Sequence, residues 1–490
     1  MKMNILRMIA VGIGIALFGC SDFLDKMPTG VEAEETFFIT KDQCERAVTG
    51  CYDIPAWSGN GFPDCFLWMI GDIMSDDAQK GGETPADMSF LEELKHFKGK
   101  ADNTISLNTW QQMYWAISRC NLVIQKVPAA PVSTELTAAL KKRYVAEAKF
   151  VRGHCYFRLV TVFGGVPLVT KPIKPEDSRK ARDSEEACWE QIIKDFTDAA
   201  ADLPEQSETD VGRATSGAAN AYLAKACIYT KKWAEAEAAA QKVKESNEYS
   251  LLPDYATIFT SAGQNGPESV FEWQHPHGPN NGWGNLNEGS TTPDFQGSRD
   301  GAWASGWGFD CPDSNLVNEF EDGDVRKAAT IYGEGDTINK GTSCEEVVEY
   351  KNYRASPWCN RKTLKECWAT APEMSNWPYN KRLIRYADVL LFLAEAQFEQ
   401  GKTAEALENL NVVRTRAKLD ALTTLDRDAI YHERRVELAL EGHRFFDVIR
   451  QGRGEECFGK NGFDPSKDDG HLPIPQSEID MNPLLKQNNY

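Results

Sequence analysis

The sequence predicts a mainly α-helical protein, a scaffold of tetratricopeptide-like helical hairpins carrying long irregular loop insertions. Three observations carry that prediction. Apolar stripes at helical spacing occupy about 139–163, 213–230, 232–246, 382–400, 403–417 and 428–451. A pattern of small residues repeats at a fixed offset. Between the helical stretches lie segments with no period at all.

The first twenty residues form a secretion signal. Lys2 and Arg7 give a positive start, Met8 to Phe18 is uncharged and apolar, and Leu17-Phe18-Gly19-Cys20 closes the segment. The apolar run is shorter than the roughly 20 residues needed to span a bilayer, so it reads as a cleavable signal. A cysteine directly after the cut suits a lipobox, in which the Cys20 thiol takes a diacylglycerol and its freed amine an acyl chain. Several acyl chains, at about 0.8 kcal/mol per buried methylene, anchor far better than one. The alternative is an ordinary signal peptide in which Cys20 is incidental; Leu17 and Gly19 favour lipidation. No other stretch is long and apolar enough to cross a membrane.

The full chain of 490 residues has a net charge of −19, and without residues 1–19 it becomes about −21 because Lys2 and Arg7 are lost. Such a surface repels phosphate backbones, and no basic cluster interrupts it, so nucleic acid is excluded as a partner. Apolar residues at 41% and aromatics at 10% indicate a folded globule rather than a disordered tether. Of the 13 cysteines, twelve remain beside Cys20, in a compartment where disulfides form. No CxxC pair occurs. Cys155 and Cys227 fall inside apolar helical patterns, while Cys44/Cys51 and Cys359/Cys367 raise the question of bridges without settling connectivity.

Asp183 followed by Glu186 predicts a capping box, after which Trp189, Ile192, Ile193, Phe196 and Leu203 follow at helical spacing until Pro204. The repeat is more telling. Leu223-Ala224-Lys225-Ala226 and Ala234-Glu235-Ala236 recur as Leu393-Ala394-Glu395-Ala396 and Ala404-Glu405-Ala406, every position offset by 170. Small residues on facing sides of antiparallel helices permit close approach, and bulky Tyr229, Trp233 and Phe398 fill the space between pairs. Stacked hairpins bury a face that a single hairpin leaves open.

Residues 271–310 contain no helical period, yet hold eight Gly, four Asn and four Trp. Similar irregular, aromatic-containing stretches run from 52 to 90 and from 340 to 380. Long loops without structure are usually functional or disordered, and so much tryptophan argues against disorder. The helices therefore read as a scaffold that presents these insertions.

A set of motifs then stands in order along the chain. Phe23-Leu24-Asp25-Lys26-Met27-Pro28 precedes a helix ending in Thr49-Gly50-Cys51-Tyr52. Ala146-Glu147-Ala148-Lys149-Phe150-Val151-Arg152-Gly153 and Phe163-Gly164-Gly165-Val166-Pro167-Leu168 follow. Near the end come Glu433-Arg434-Arg435-Val436-Glu437-Leu438, Glu441-Gly442-His443-Arg444-Phe445-Phe446-Asp447 and Leu472-Pro473-Ile474-Pro475-Gln476-Ser477-Glu478-Ile479-Asp480 with Asn482-Pro483. Together these resemble the SusD/RagB family of outer-membrane nutrient-binding lipoproteins, over nearly the whole chain from Cys20. The resemblance implies a SusD-like helical body on the cell surface, a lid over a SusC-like TonB-dependent transporter. Such a protein captures a nutrient, usually a glycan and sometimes a peptide, without acting as an enzyme and without a cofactor. It divides the chain into a signal peptide (1–19), an N-terminal region (20–170), a helical repeat region (171–260), a loop-rich, ligand-facing insertion (261–380) and a C-terminal helical region (381–490).

Arg434, Glu437, Glu441 and Arg444 recur at three- and four-residue spacing, which predicts ion pairs within one helix that also carries the apolar stripe Val436, Leu440, Phe446. Sugar recognition needs flat aromatic faces against C–H surfaces, with amides and carboxylates for the hydroxyls. Trp283, Trp303 and Trp307 meet the first need, and Asn285, Asn287, Arg299 and Asp300 the second. The 57–80 stretch adds Trp57, Phe62, Asp76, Asp77 and Gln79. Each loop tryptophan is equally readable as a plug that fixes its loop to the scaffold, and Trp307, beside Cys311-Pro312-Asp313-Ser314, reads as a plug. The expected ligand-binding set is therefore Trp283, Asn285, Asn287, Trp303, Trp57, Asp76 and Asp77. His275 and His277 flank Pro276 without a placed third ligand, and a surface loop is the expectation there. Glu321-Asp322-Gly323-Asp324 lacks the alternating oxygens and terminal Glu of a calcium loop and reads as a capped turn before a helix. No GxSxG or HExxH motif is present. A glycosidase carboxylate pair and a peptide- or protein-binding helical scaffold are the competing readings.

Overall fold

The computed structural model describes residues 37–57, 68–276, 289–299, 301–303, 305–349, 356–368 and 376–489. Cys20, and with it the lipid anchor, lies outside these residues.

The scaffold begins with α1 (Lys41–Ala56), α2 (Thr104–Lys126), α3 (Ala138–Phe163) and α4 (Glu185–Asp202). Each start is chemically marked. Thr40 and Gln43 form a reciprocal capping box on α1, while Asn103, Thr137 and Ser184 accept backbone N–H bonds at the starts of α2, α3 and α4. The helix expected to end at Tyr52 continues to Ala56, with Pro55 in its last turn. The expected Asp183 cap is displaced by one residue. Ser184 Oγ accepts from Ala187 N at 3.2 Å, and Asp183 Oδ2 instead accepts from Leu168 N at 2.7 Å. The reason is tertiary. Asp183 ties the Phe163–Leu168 turn to α4, and a Cβ on Gly165 would stand 2.3 Å from the Asp183 carbonyl oxygen.

α3 is buried on nearly every side, between α2 and α4. Gly153 lets α4 approach, since a Cβ there would meet the Phe196 ring at 3.0 Å. Across this contact Arg152 and Asp195 form a buried bidentate pair, Nε–Oδ2 2.8 Å and Nη2–Oδ1 2.6 Å.

The repeat is a structural one. α5 (Ser216–Tyr229) and α6 (Trp233–Glu245) make one hairpin, α7 (Tyr386–Glu399) and α8 (Thr403–Arg416) the other. Both turns end the first helix with a Schellman pair of bonds. Lys232 N donates to Cys227 O and Lys231 N to Ile228 O, at 2.9 and 3.2 Å; Lys402 N donates to Gln397 O and Gly401 N to Phe398 O, both at 2.9 Å. The left-handed residue is Lys231 (φ 56°) in one turn and Gly401 (φ 77°) in the other, again 170 apart. The hairpins pack with α6 against α7, where Gln400 Nε2 donates to Glu237 Oε2 at 2.9 Å.

Two expected helices are interrupted. The 382–400 stripe begins as a strand, Lys381–Arg385, before α7 starts at Tyr386. That strand pairs antiparallel with Ser269–Trp273, and both are buried throughout, so alternation gives no signal. The 428–451 stripe splits into α9 (Arg427–Glu437) and α10 (Arg444–Arg450). Between them Leu440 (φ 59°) and Gly442 (φ 82°) turn the chain, and Gly442 N donates to Asp72 Oδ1 at 3.0 Å. A Cβ on Gly71 would lie 2.2 Å from the Gly442 carbonyl oxygen, so the two backbones cross in direct contact. A short final helix, α11 (Gln476–Met481), lies near the C-terminus.

The remaining described sheets are small antiparallel ladders. Ala78–Gly81 pairs with Phe309–Pro312, Ile331–Gly333 with Trp358–Asn360, and Thr337–Ile338 with Glu346–Val347. Asp324 caps the helix Val325–Thr330 after Gly323 (φ 85°), the capped turn expected at that position. Among the described residues no helix is long and apolar enough to cross a membrane.

The predicted ion pairs within one helix are replaced by pairs between distant elements. Arg434 binds Asp388 and Asp447; Glu437 meets Arg326, Arg385 and Arg416; Glu441 meets Lys362 and Arg385; Arg444 binds Asp76. The helix break at Leu438–His443 separates Glu441 and Arg444 from Arg434 and Glu437, and burial of all four side chains turns them toward partners in the core.

Candidate functional site

The irregular segments converge on a braced platform. Cys344 and Cys367 form a disulfide, joining the end of one loop to the residue before Trp368. Neither cysteine pair suggested by proximity in sequence forms: Cys44 and Cys51 are separate buried thiols, and Cys367 pairs with Cys344 rather than Cys359.

Trp303 is clamped beside this bridge. Its backbone N–H and that of Ala302 donate to Glu346 Oε2 at 2.9 and 3.1 Å, and its Nε1 donates to the Glu366 carbonyl at 3.1 Å. Glu366 Oε1 in turn accepts from Ser261 N at 3.0 Å. Trp303, Glu366 and Trp368 are thus close neighbours, with Trp303 half-buried and Trp368 38% exposed. A crevice of only about 20 Å³ runs between Phe259, Lys365, Glu366, Trp368, Trp377 and Tyr379. The surface is shallow and aromatic, suited to an extended ligand lying across it rather than a small molecule enclosed by it.

Beneath the rim the polar groups are locked. Lys365 Nζ lies 2.6 Å from Asp294 Oδ1 and 5.0 Å from the centre of the Trp377 ring. Trp377 Nε1 donates to the same Asp294 oxygen at 3.1 Å. Gln296 Nε2 donates to Asp310 Oδ2 at 2.8 Å, and its carbonyl accepts from Asn360 and Thr363 at 3.0 and 2.8 Å. Burial pushes the Asp310 carboxyl up to about 7, against the opposing pull of Lys381 and Asn360. Trp307 is the plug expected of it. Its ring meets Phe295 edge-on at 4.7 Å, and its backbone N–H donates to the Asp294 carbonyl at 2.8 Å.

Trp283, Asn285 and Asn287 lie outside the described residues, as do Phe62, His277 and Asp300. The residues that bracket 277–288 are nonetheless anchored on the platform. His275 N donates to Asn380 Oδ1 at 2.9 Å, and Ser290 and Trp377 exchange backbone bonds of 2.7 and 3.1 Å. Trp368 and Asn376 bracket 369–375 at the same place.

The other expected residues fall elsewhere. Trp57 ends α1, half-buried, its Nε1 donating to Asp53 at 2.9 Å. Asp76 and Asp77 are engaged by arginines: Arg444 Nε is 2.8 Å from Asp76, and Arg435 Nη2 is 2.7 Å from Asp77. For Asp76 the burial penalty is outweighed by Arg444 and Arg435, which hold the carboxyl below its ordinary range. Asp76 lines a separate polar cavity of about 720 Å³ with Arg435, Arg444 and Arg453. Arg299 pairs with Glu83 at 2.8 Å, and Gln79 donates to Asp313 at 2.6 Å. His275, expected on a surface loop, is 2% exposed, because it continues the buried strand Ser269–Trp273. Among the described residues no group of three or more His, Cys, Asp or Glu is placed to hold a metal ion. Trp368, Trp377 and Tyr379 were absent from the expected set. Their signal was the third irregular stretch, 340–380, with its aromatics and Cys367.

A helical-hairpin body with an aromatic, loop-built surface defines a class of surface-binding scaffold, and comparison with known proteins makes the class specific. Residues 267–490 match the family described as "SusD family", and residues 74–228 match "Starch-binding associating with outer membrane". The chain belongs to the SusD/RagB family. It is 26% identical to SusD-like protein P2 of Formosa agariphila, covering 97% of each chain. Among solved structures, a laminarin-binding SusD-like protein is similar at 28% identity and a TM-score of 0.81, over 92% of this chain and 99% of that one. The surface glycan-binding protein A of Bacteroides thetaiotaomicron, in complex with laminarihexaose, is similar at 25% identity and a TM-score of 0.78, over 92% of this chain and all of the other.

Proposed function

We propose that this protein is a carbohydrate-binding lipoprotein of the outer-membrane surface, which captures an oligosaccharide on the Trp303–Trp368 rim. It hands the ligand to a SusC-like TonB-dependent transporter, and acts by binding rather than by bond cleavage. The observation that carries the reading is the rim itself, two tryptophans held by a disulfide and by the buried Asp294–Lys365–Trp377 cluster at the feet of segment 277–288. That segment supplies Trp283, Asn285 and Asn287, the stacking and amide groups a sugar requires. Two similar structures, a laminarin-binding protein and a laminarihexaose complex, support a glycan as the ligand class. Cys20 provides the anchor.

Isothermal titration calorimetry against laminarihexaose, other oligosaccharides and a peptide panel tests the reading. Saturable binding of at least one glycan is expected. Binding of peptides alone would replace it with the peptide-scaffold reading, and release of reducing ends from a bound glycan would replace it with hydrolysis.

A further inference from the structure

A groove of about 860 Å³ runs between α2, the segment 167–179 and α11. Its walls expose apolar groups that a folded surface normally covers. Trp115 is 51% exposed and Met481 58%; Ile173 lines the same groove, and Leu484, beside it, is 54% exposed. Such residues gathered at one opening mark a surface that binds something. Lys171 and Arg179 also line it, and neither forms an ion pair with any described residue.

We propose that the occupant is the chain's own N-terminal segment, Asp22-Phe23-Leu24-Asp25-Lys26-Met27-Pro28. Reach permits it. α1 runs antiparallel to α2: Arg119 Nη1 bonds Gly50 O at 2.8 Å and Asp53 at 2.7 Å, while Cys44, about a turn and a half earlier in α1, is within electrostatic reach of Lys141, whose Nζ bonds Ala130 O beyond the end of α2. The described body therefore begins near the C-terminal end of α2. Trp115 is eleven residues back along that helix, about 16 Å at 1.5 Å per residue. The ten residues from Met27 to Phe37 span up to about 33 Å when extended.

Chemistry selects the segment. Phe23, Leu24 and Met27 supply apolar side chains for Trp115, Ile173 and Met481. Asp22 and Asp25 flank them and offer carboxylates to Lys171 and Arg179, while Lys26 faces a groove that also carries Glu176 and Asp480. Docked there, the segment leaves a single residue, Ser21, between itself and Cys20. The lipid would then emerge at the groove and set which face of the body turns toward the membrane.

Trypsin cleavage after Lys26, followed by mass spectrometry on the lipidated full chain in mild detergent, tests this. Met481→Asp alters an exposed side chain and Leu24→Asp a position outside the described residues, and unchanged circular dichroism and thermal midpoints would confirm folding. The wild-type chain should be cut about tenfold more slowly than either variant, the protection expected of a docked segment. A benzophenone amino acid at position 115 should cross-link to the peptide containing residues 20–26 of the same chain. Equal cleavage rates in all three chains overturn the proposal, as does a cross-link from position 115 to a second copy or to another protein instead.

Discussion

Arg385 and Glu441, 56 residues apart, meet in a buried bidentate pair, with Nε 2.8 Å from Oε2 and Nη2 2.8 Å from Oε1. Arg385 also reaches Glu268 at 2.7 Å and Glu437 at 3.0 Å, so one guanidinium serves three carboxylates from two distant parts of the chain. Arg385→Met leaves those carboxylates short of a counter-charge. A loss of about 3–5 kcal/mol is expected, the scale for breaking a buried ion pair from one side. Urea unfolding at pH 7 measures it; a loss under about 1 kcal/mol, the value of an exposed pair, would refute the assignment.

The same cluster predicts acid sensitivity. Burial alone would raise the Glu441 carboxyl, but Arg385 and Lys362 outweigh it and hold it down to about 2. Glu437 is likewise held far below its ordinary range, its burial outweighed by Arg416, Arg385 and Arg326. An unfolded glutamate titrates at about 4.3, so the folded state binds fewer protons than the unfolded one between that pH and about 2. Stability from these groups is complete above about pH 5 and is lost as pH falls through that window. Glu441→Gln should be less stable at pH 7 yet lose less between pH 5 and pH 3, measured as denaturation midpoints.

Ligand affinity should depend on the rim. Trp368→Ala is expected to weaken glycan binding about tenfold, the roughly 1.4 kcal/mol scale of a lost aromatic contact, with an unchanged thermal midpoint because the side chain is exposed. Trp303→Ala should weaken binding as well and lower the midpoint, since its Nε1 bond to Glu366 is structural. Calorimetry with differential scanning fluorimetry separates the two. Full affinity in both variants would move the site away from this rim.

The Cys344–Cys367 bridge should matter more to the rim than to the helices. Cys344→Ser/Cys367→Ser opens a loop of sequence separation 23, worth up to about 3 kcal/mol by chain entropy. The double variant should keep its helical circular dichroism and bind glycan more weakly. Unchanged affinity would show that the bridge does not position Trp368.

Cys20→Ser should release the protein from the membrane fraction without unfolding it. Fractionation with circular dichroism of the released chain is the check, and retention in the membrane would assign the anchor elsewhere.

The hairpins were legible because their information is local. Alanines that face a neighbouring helix and a turn that needs a left-handed residue are written into adjacent positions, so the offset of 170 carried through to matching Schellman bonds at Lys231 and Gly401. The break at Leu438–His443 was not legible, because its cause is the contact of Gly71 and Asp72 with Gly442, far away in sequence. With the helix broken, Glu441 and Arg444 no longer share a face with Arg434 and Glu437, and each charge pairs with a partner from elsewhere in the core. Asp76 and Asp77 looked available for a ligand for the same reason: nothing in their own segment names Arg435 and Arg444 as their partners. Trp303 was found from composition, whereas Trp368 needed the pairing of Cys367 with Cys344, which spacing does not specify.

By itself, then, the sequence determined the helical scaffold, its repeat and the presence of aromatic insertions, all of which rest on short-range periodicity and steric fit between neighbours. The tertiary structure decided which charges meet, where the long helix breaks and which tryptophans share a surface. Those outcomes depend on burial: once removed from water, a charge or an indole N–H must take whichever partner the fold brings to it, and that partner is set by packing across the whole chain.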